Sequence, residues 1–270
     1  MVHSMSNKAK TLFIVEGAKS EKNFFQQLNL THFTNIDLFI YGTNIYDLYR
    51  RIKEFDFNAN LLDLLKDLPD DPQYPNDKSI LEHNFAYTYL VFDFDVHHRD
   101  YYQATTPLQT LVDDNIEKLV EMSNHFVDET DPTVGKLYIN YPMMESYKDC
   151  DVFFDPNYKD NYVNLSDIKK YKSIVGEKNL SRIRLDSYTK ENIDNLVKMN
   201  IFKLSELMDN NWGVIDYETY LRYCNSSDIL SKQKDLVIKK HKISVLNTSL
   251  FFLTDYFGNQ NGYYDSLINT

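Results

Sequence analysis

The chain has 270 residues, of which 43% are hydrophobic and 26% are charged, as in ordinary globular proteins with a buried core. Its 2 cysteines and 7 glycines argue against a disulfide framework, a zinc-ligand ladder or a collagen-like chain. The formal net charge of −11 excludes a protein that coats nucleic acid through its overall charge, so any nucleic-acid partner must be held by a local surface.

Membrane spans and export signals are missing from the hydropathy pattern. The longest purely apolar runs are short, such as Leu250–Leu253, whereas a bilayer span needs about 20 apolar residues. The N-terminal residues lack the apolar segment of a signal peptide. We therefore expect a cytoplasmic protein without a membrane partner.

The N-terminal part of the chain predicts two strand–helix units. Thr11–Val15 is a β-prone run that ends at Glu16-Gly17, and Ser20–Leu30 follows as an amphipathic helix. Ile36–Tyr41 and Asn44–Phe55 repeat the pattern of strand and helix.

A loop rich in proline and aspartate, residues 68–79, separates these units from the next elements. Tyr87–Phe92 is a continuous apolar run that is typical of a strand buried on both faces of a parallel sheet. Leu108–Phe126 has helical periodicity, and Lys136–Asn140 is a fourth short strand. Strands that alternate with helices predict an α/β core with a mostly parallel sheet over residues 8–150.

The alternation of strand and helix patterns ends at about residue 150, and residues 151–270 are predicted to form a mainly helical extension. Helical patterns cover Lys190–Met208, Asp216–Cys224 and Asp228–Phe257. Within the last of these, Leu246–Phe257 is predicted to be core, with an oligomer contact as the alternative. The sequence contains neither a GxxxxGK[ST] nor a GxGxxG motif, so it has no nucleotide-binding loop of those types.

Carboxylates stand just past the predicted strands, where α/β sheets build their active sites. Glu16 follows the first strand, Asp93 and Asp95 follow the third, and Glu145 follows the fourth. The alternation of side chains along a strand lets both aspartates project to one side of Phe94. If the first and third strands are neighbours in the sheet, these carboxylates and Glu21 are expected to converge on one crevice.

Such a cluster needs a counter-charge, because two carboxylates about 5 Å apart repel by roughly 3 kcal/mol at an effective dielectric constant near 20. Ligands that are all oxygen favour Mg²⁺ or Mn²⁺ over zinc. Two such ions about 4 Å apart can hold the attacking and leaving oxygens of a phosphodiester. The pattern therefore predicts a magnesium or manganese site.

At these residues the sequence resembles the TOPRIM domain of topoisomerases, primases, overcoming-lysogenization-defect (OLD) nucleases and RloB-like defence proteins. Phe13–Glu21 carries the Glu-Gly-x-x-Ser-Glu pattern, Phe92–Asp95 carries the Asp-x-Asp pair, and Asn140–Glu145 carries the third element. The spacing is closest to the RloB-like group. The similarity covers roughly residues 11–150.

This resemblance implies a Mg²⁺-dependent endonuclease that hydrolyses DNA or RNA as an effector of bacterial antiviral defence, by abortive infection. It implies that Glu16 is the general base or a metal-linked residue and that Asp93 and Asp95 bind the metal. Glu21 and Glu145 are then candidates for a second ion. Relatives in phage defence often work beside an ATPase, so a separately encoded ATPase is an expected partner, and a homo-oligomer is a further expectation.

Simpler interpretations stand beside this hypothesis. Glu16-Gly17 alone fits an ordinary strand-to-helix turn, and Glu21 alone fits a residue that compensates a helix dipole. The sequence Asp93-Phe-Asp95-Val96 also matches the DxDx[TV] pattern of haloacid-dehalogenase phosphatases, although those enzymes usually carry it near the N-terminus. A further alternative is a catalytically silent binding or trigger subunit of an ATPase–TOPRIM complex.

Two basic stretches are candidates for contact with a nucleic-acid backbone. The first consists of five lysines in a predicted helix, namely Lys232, Lys234, Lys239, Lys240 and Lys242. The second consists of three lysines and two arginines, namely Lys169, Lys170, Lys172, Arg182 and Arg184. The alternative for each stretch is a solvated helix face. His97 and His98 adjoin the acidic pair and are predicted to be loop residues, with a phosphate contact or general acid as the alternative.

Overall fold

The structure, a computed structural model, describes residues 10–32, 34–69, 77–99, 102–178, 183–259 and 262–269. The chain divides into two compact units. One unit contains the chain up to Phe92 together with Glu121–Tyr138, and the other contains Asp93–Val120 and the chain from Ile139 onward. The predicted boundary at residue 150 stays a prediction.

The first unit contains a five-stranded sheet with the order β2-β1-β3-β5-β4. Its strands are β1 Thr11–Val15, β2 Ile36–Ile40, β3 Tyr87–Asp93, β4 Val127–Asp128 and β5 Gly135–Asn140. Strand β1 pairs in parallel with β2 and with β3, whereas β4 and β5 are antiparallel. The α/β class, the mostly parallel sheet and the adjacency of the first and third predicted strands are confirmed.

Strand β1 is buried along its whole length because it lies inside the sheet, as its unbroken apolar sequence predicts. Aromatic rings pack around it: the Phe13 ring centroid lies 4.2 Å from that of Phe25 and 5.1 Å from that of Tyr89. Tyr89 in turn stacks on Tyr138, with 5.4 Å between the ring centroids. These contacts tie β1, β3, β5 and the first helix into one core.

Helices follow the strands as predicted, with shifts of a few residues at their ends. The bounds are α1 Ser20–His32, α2 Ile45–Lys53, α3 Leu61–Lys66 and α4 Leu108–His125. The short helix α3 was not predicted. Asn44 and Asn60 cap α2 and α3, because each side-chain oxygen accepts hydrogen bonds from two backbone N–H groups of the first turn.

Beyond Asn140 the chain is mainly helical, as predicted. The helices are α5 Ile168–Lys178, α6 Lys190–Asp209, α7 Tyr217–Tyr223, α8 Ser226–Lys240, α9 Phe252–Phe257 and α10 Tyr263–Asn269. A short antiparallel pair joins β6 Tyr162–Asn164 to β7 Lys242–Ser244. Short 3-10 helices, among them Met144–Lys148, connect these elements.

The prediction of helix throughout Asp228–Phe257 was wrong in its middle. Helix α8 ends where His241 adopts a left-handed conformation with φ 52°, and strand β7 follows at once. The run Ile243–Leu246 is buried and β-prone, and it satisfies its backbone across the sheet instead of along a helix. Within the predicted core segment Leu246–Phe257, the apolar residues up to Leu253 are buried as predicted, whereas Tyr256 and Phe257 are half-buried.

Part of the proline-rich loop and Arg182 of the second basic stretch lie outside the described residues. Among the helices that the structure describes, none combines the length and the apolarity that crossing a bilayer requires.

A buried lysine lies in the core of the second unit. The Lys203 side chain on α6 has 0% exposure, and its Nζ atom lies 3.5 Å from Glu206 Oε2. The same ammonium donates to the Lys159 carbonyl and lies 4.1 Å from the centroid of the Tyr162 ring. Tyr162 completes the group by donating its hydroxyl to Glu206 over 3.0 Å. Burial lowers the pKa of Lys203 from 10.5 to about 8, against the opposing effect of Glu206.

We expect this lysine to make stability rise with pH above about 8. Between about pH 8 and pH 9.5 the folded chain releases the Lys203 proton while the unfolded chain keeps it, so the free energy of unfolding should rise by about 2 kcal/mol. Lys203→Met should remove this rise, as measured by urea unfolding across the pH range. Lys198→Met, at a half-buried position of the same helix, is the control and should keep it. The same slope in Lys203→Met and wild type would contradict the assignment.

Candidate acidic site

The predicted acidic residues fall in both units. Glu16 and Glu21 belong to the first unit, and Asp93, Asp95 and Glu145 belong to the second. Each group is fixed by its own set of backbone and side-chain contacts.

Glu16 stands at the carboxyl end of β1 with its backbone held on both sides. Its N–H donates to the Val91 carbonyl over 3.3 Å, and its carbonyl accepts from the Gly42 N–H over 3.1 Å. Gly42 has φ 83°, a conformation that glycine adopts without steric cost. The half-buried Glu16 therefore begins a turn whose backbone is anchored to the two strands that flank β1.

Glu21 turns back toward that same loop. Its side chain is buried in the first turn of α1, and Oε1 accepts the Gly17 N–H over 3.0 Å. A Cβ atom at Gly17 would lie 2.9 Å from Glu21 Oε1, so a larger residue there would require the Glu21 carboxylate to shift. The geometry fits a carboxylate that caps a turn and complements a helix dipole. A role for Glu21 toward a second ion stays a prediction.

In the second unit, the Asp93–Asp95 turn is pinned by backbone hydrogen bonds. The Phe94 N–H lies 3.0 Å from the Asn140 carbonyl and 3.1 Å from the Pro142 carbonyl. Asp93 Oδ1 accepts the Met144 N–H over 2.7 Å. Phe94 is fully buried while the two aspartates are half-buried. Strand β3 ends at Asp93, so a projection of both aspartates to one side stays a prediction.

His97 lies beside Asp95, with 3.6 Å between Nδ1 and Asp95 Oδ1. Within the described part of the chain, this buried nitrogen has no hydrogen-bond partner. Burial lowers the pKa of His97 below 6.5, and the positive charge of Lys169 acts in the same direction against the opposing effect of Asp95. A neutral imidazole at this position can accept a proton near neutral pH.

Asn115 on α4 holds the loop that follows the acidic pair. Its Nδ2 atom donates to the Val96 carbonyl over 3.1 Å and to the His98 carbonyl over 3.0 Å. The sequence-based analysis missed this residue. An available signal was its position within the apolar face of α4, between Val112 and Ile116, where a buried amide must find partners.

Glu145 is buried and already has a cationic partner. Its Oε1 lies 2.5 Å from Lys172 Nζ on α5, a residue that was predicted only as part of a basic stretch. One turn later, Asp149 accepts from Lys178 over 2.8 Å and from the Tyr171 hydroxyl over 3.2 Å. Helix α5 thus neutralises both buried carboxylates of the 144–149 segment.

A buried polar network fixes the other side of this segment. The Asn247 side chain donates to the Met144 carbonyl over 2.9 Å and to Ser146 Oγ over 3.1 Å. Its own oxygen accepts the Ser249 hydroxyl over 2.6 Å, and Asn140 Oδ1 accepts the Ser249 N–H over 3.1 Å. Residues more than a hundred positions away along the chain therefore set the position of the Met144 amide that binds Asp93.

The described residues contain no group of three or more His, Cys, Asp and Glu side chains placed to hold a metal ion. A three-ligand cage is not required for Mg²⁺, which usually binds one or two carboxylates and completes its shell with water and substrate phosphates. The oxygen donors of Asp93 and Asp95 fit that open kind of site. Binding of a metal ion by Glu16 or Glu21 together with this pair stays a prediction, and so does binding of a metal ion by Glu145.

The predicted lysines of the first basic stretch, four on α8 and Lys242 on β7, are partly engaged within the chain. Lys232 donates to the Met208 carbonyl over 2.7 Å, and Lys239 pairs with Asp235 at 3.0 Å. Lys240 and Lys242 are exposed, and Lys234 is half-buried. Their contact with nucleic acid stays a prediction.

No family model, curated protein or solved structure matches the chain. The TOPRIM resemblance therefore depends on the motif residues themselves and on their positions at the ends of β1, β3 and β5. The functional assignment is argued from the site.

We expect Asn247→Ala to destabilise the protein by about 1–3 kcal/mol, because the Met144 carbonyl and the Ser249 hydroxyl lose a partner in the interior. The measurement is the free energy of unfolding in urea. The exposed Asn211→Ala is a matched control and should change stability by less than about 0.5 kcal/mol. An equally small effect at Asn247 would show that the network does not hold this segment.

Proposed function

We propose that the protein is a metal-dependent nuclease of the TOPRIM type that hydrolyses phosphodiesters in DNA or RNA. The observation that carries the proposal is the order of the strands. After β1 the chain forms β2, which pairs with one edge of β1, and later forms β3, which pairs with the other edge. In open α/β sheets, ligands bind beyond the carboxyl ends of the strands at such a reversal. Glu16 directly follows β1, and Asp93 ends β3.

In this proposal Asp93 and Asp95 hold a Mg²⁺ or Mn²⁺ ion. The bound cation would neutralise charge on the phosphate and lower the pKa of a water molecule. The Met144 N–H orients the Asp93 carboxylate through the hydrogen bond at Oδ1. Glu16 is the proposed general base or metal-linked residue, and the chain would act as an effector of antiviral defence, as the resemblance implies.

Asp93→Asn is expected to lower the cleavage rate by at least about 100-fold. The substitution removes a negative charge but keeps a side-chain oxygen that can accept the Met144 N–H, so the fold should be retained. Cleavage of labelled DNA and RNA in Mg²⁺ or Mn²⁺ is the measurement. Asp228→Asn on the exposed face of α8 is the matched control and should cleave like wild type. Undiminished cleavage by wild type in excess EDTA would refute the metal mechanism.

Glu16→Gln tests the first-unit carboxylate by itself. We expect a similar loss of cleavage, because the substitution removes the charge of the proposed base while the backbone hydrogen bonds of residue 16 with Val91 and Gly42 are retained. Glu191→Gln, in the exposed first turn of α6, is the control for this change. If Glu16→Gln cleaves normally while Asp93→Asn does not, Glu16 belongs to an ordinary structural turn.

A second candidate function is a silent binding or trigger subunit beside a separately encoded ATPase. The observation in its favour is that Glu145 and Asp149 are already neutralised by lysines. Wild-type protein that cleaves neither DNA nor RNA, with or without a candidate ATPase, would favour this function. Hydrolysis of a small phosphomonoester would instead favour the phosphatase alternative.

A further inference from the structure

Helix α5 is strongly basic although the chain as a whole is acidic. Its 11 residues, IKKYKSIVGEK, contain four lysines and one glutamate. The whole chain has 29 basic and 40 acidic residues. A lysine-rich helix on such a chain is a local concentration of positive charge.

The orientation of α5 is fixed by its buried face. Ile168, Tyr171 and Val175 are buried, and their spacing defines one stripe along the helix. The Tyr171 hydroxyl donates to Asp149, just past the 3-10 helix Met144–Lys148. The remaining face, which carries Lys169 and Lys170, is exposed.

One flank of α5 lies beside the acidic turn. Lys169 and Lys172 are three residues apart and therefore share a flank of the helix. Lys172 reaches Glu145 at 2.5 Å, and the adjacent Met144 donates its N–H to Asp93 over 2.7 Å. Both contacts lie within the second unit, which also contains Asp93 and Asp95.

Two of the four lysines of α5 have no acidic partner among the described residues. Among the described residues, Lys169 and Lys170 form no ion pair, whereas Lys172 and Lys178 neutralise buried carboxylates. Unpaired ammonium groups beside a carboxylate site add positive charge where a polyanion would approach. Lys240 of α8 and Lys242 of β7 are equally exposed, but among the described residues neither forms a hydrogen bond or ion pair with the acidic turn.

We infer that the exposed face of α5, through Lys169 and Lys170, binds the phosphate backbone of a nucleic acid and directs it to the Asp93–Asp95 turn. This inference rests on the proposed nuclease function. Lysine contacts to phosphate carry no sequence information and release condensed counterions, so binding through them is strongly salt-dependent. The expected partner is therefore a nucleic acid bound without sequence preference.

The test is binding without cleavage. Fluorescence anisotropy of a labelled single-stranded DNA and an RNA of the same sequence, in EDTA, compares wild type with the double variant Lys169→Glu/Lys170→Glu. We expect binding at least about 10-fold weaker at about 0.1 M salt, and a slope of log affinity against log salt that is smaller by about two. Lys169→Arg/Lys170→Arg should retain binding.

The double variant Lys22→Glu/Lys159→Glu is the matched control, because it changes the net charge equally at two exposed lysines outside the predicted basic stretches. It should bind within about twofold of wild type. Wild-type affinity of the α5 variant, or an equal loss in the control variant, would overturn the inference. Thermal unfolding of each variant checks that the fold is retained.

The two proposals fail in different ways. Loss of binding in the α5 variant together with no cleavage by wild type in Mg²⁺ or Mn²⁺ leaves the surface assigned and refutes the nuclease. Cleavage by wild type with unchanged binding in the α5 variant refutes the surface alone. Absence of any binding by wild type refutes both.

Discussion

The hydrogen bond from the Met144 N–H to the Asp93 carboxylate is the contact on which the geometry of the candidate site depends. It joins the end of a buried strand to a short 3-10 helix, and it is supported by the Phe94 N–H, which reaches the carbonyls of Asn140 and Pro142. The contact fixes the direction of the Asp93 carboxylate. A carboxylate held in one orientation suits the binding of a hard cation.

Compensation of negative charge follows one pattern across the molecule. Each buried candidate carboxylate is paired with a donor from the protein: Glu21 with the Gly17 amide, and Glu145 with the Lys172 ammonium. The sequence alone suggested that clustered carboxylates would need a cation to relieve their repulsion. In the structure the protein itself supplies a donor to each of these two carboxylates. The half-buried Asp95, near a histidine, retains the more open surroundings.

The parts of the fold that the sequence predicted are those set by local patterns. Strands β1 and β3 are continuous apolar runs, and α2 begins at an asparagine whose side chain can cap it, so their limits were found to within a residue or two. The break after α8 was missed because the apolar residues Ile243, Val245 and Leu246 suit a buried helix as well as a buried strand. The pairing with β6, which makes the segment extended, is not visible in the local sequence. The contact of Asn247 with Met144 spans 103 residues, and no local pattern encodes it. The same holds for the pairing of Lys172 with Glu145.

The C-terminal region therefore helps to position the residues of the candidate site. Asn247 approaches the Met144–Ser146 backbone, and α5 packs on the same segment through Tyr171 and Lys172. Two parts of this region differ in kind: the Asn247 network is a buried set of amides that fixes position, whereas Lys169 and Lys170 of α5 are exposed charges at the surface of the unit. Loss of the network should move the Met144 amide and with it Asp93, whereas loss of the exposed lysines should leave that geometry intact and change only the electrostatic potential in front of it. In the proposed nuclease, the position of the site and the approach of the nucleic acid would thus be set by separate residues of the same region, a proposed role for residues 151–270 that the acidic motifs alone do not explain.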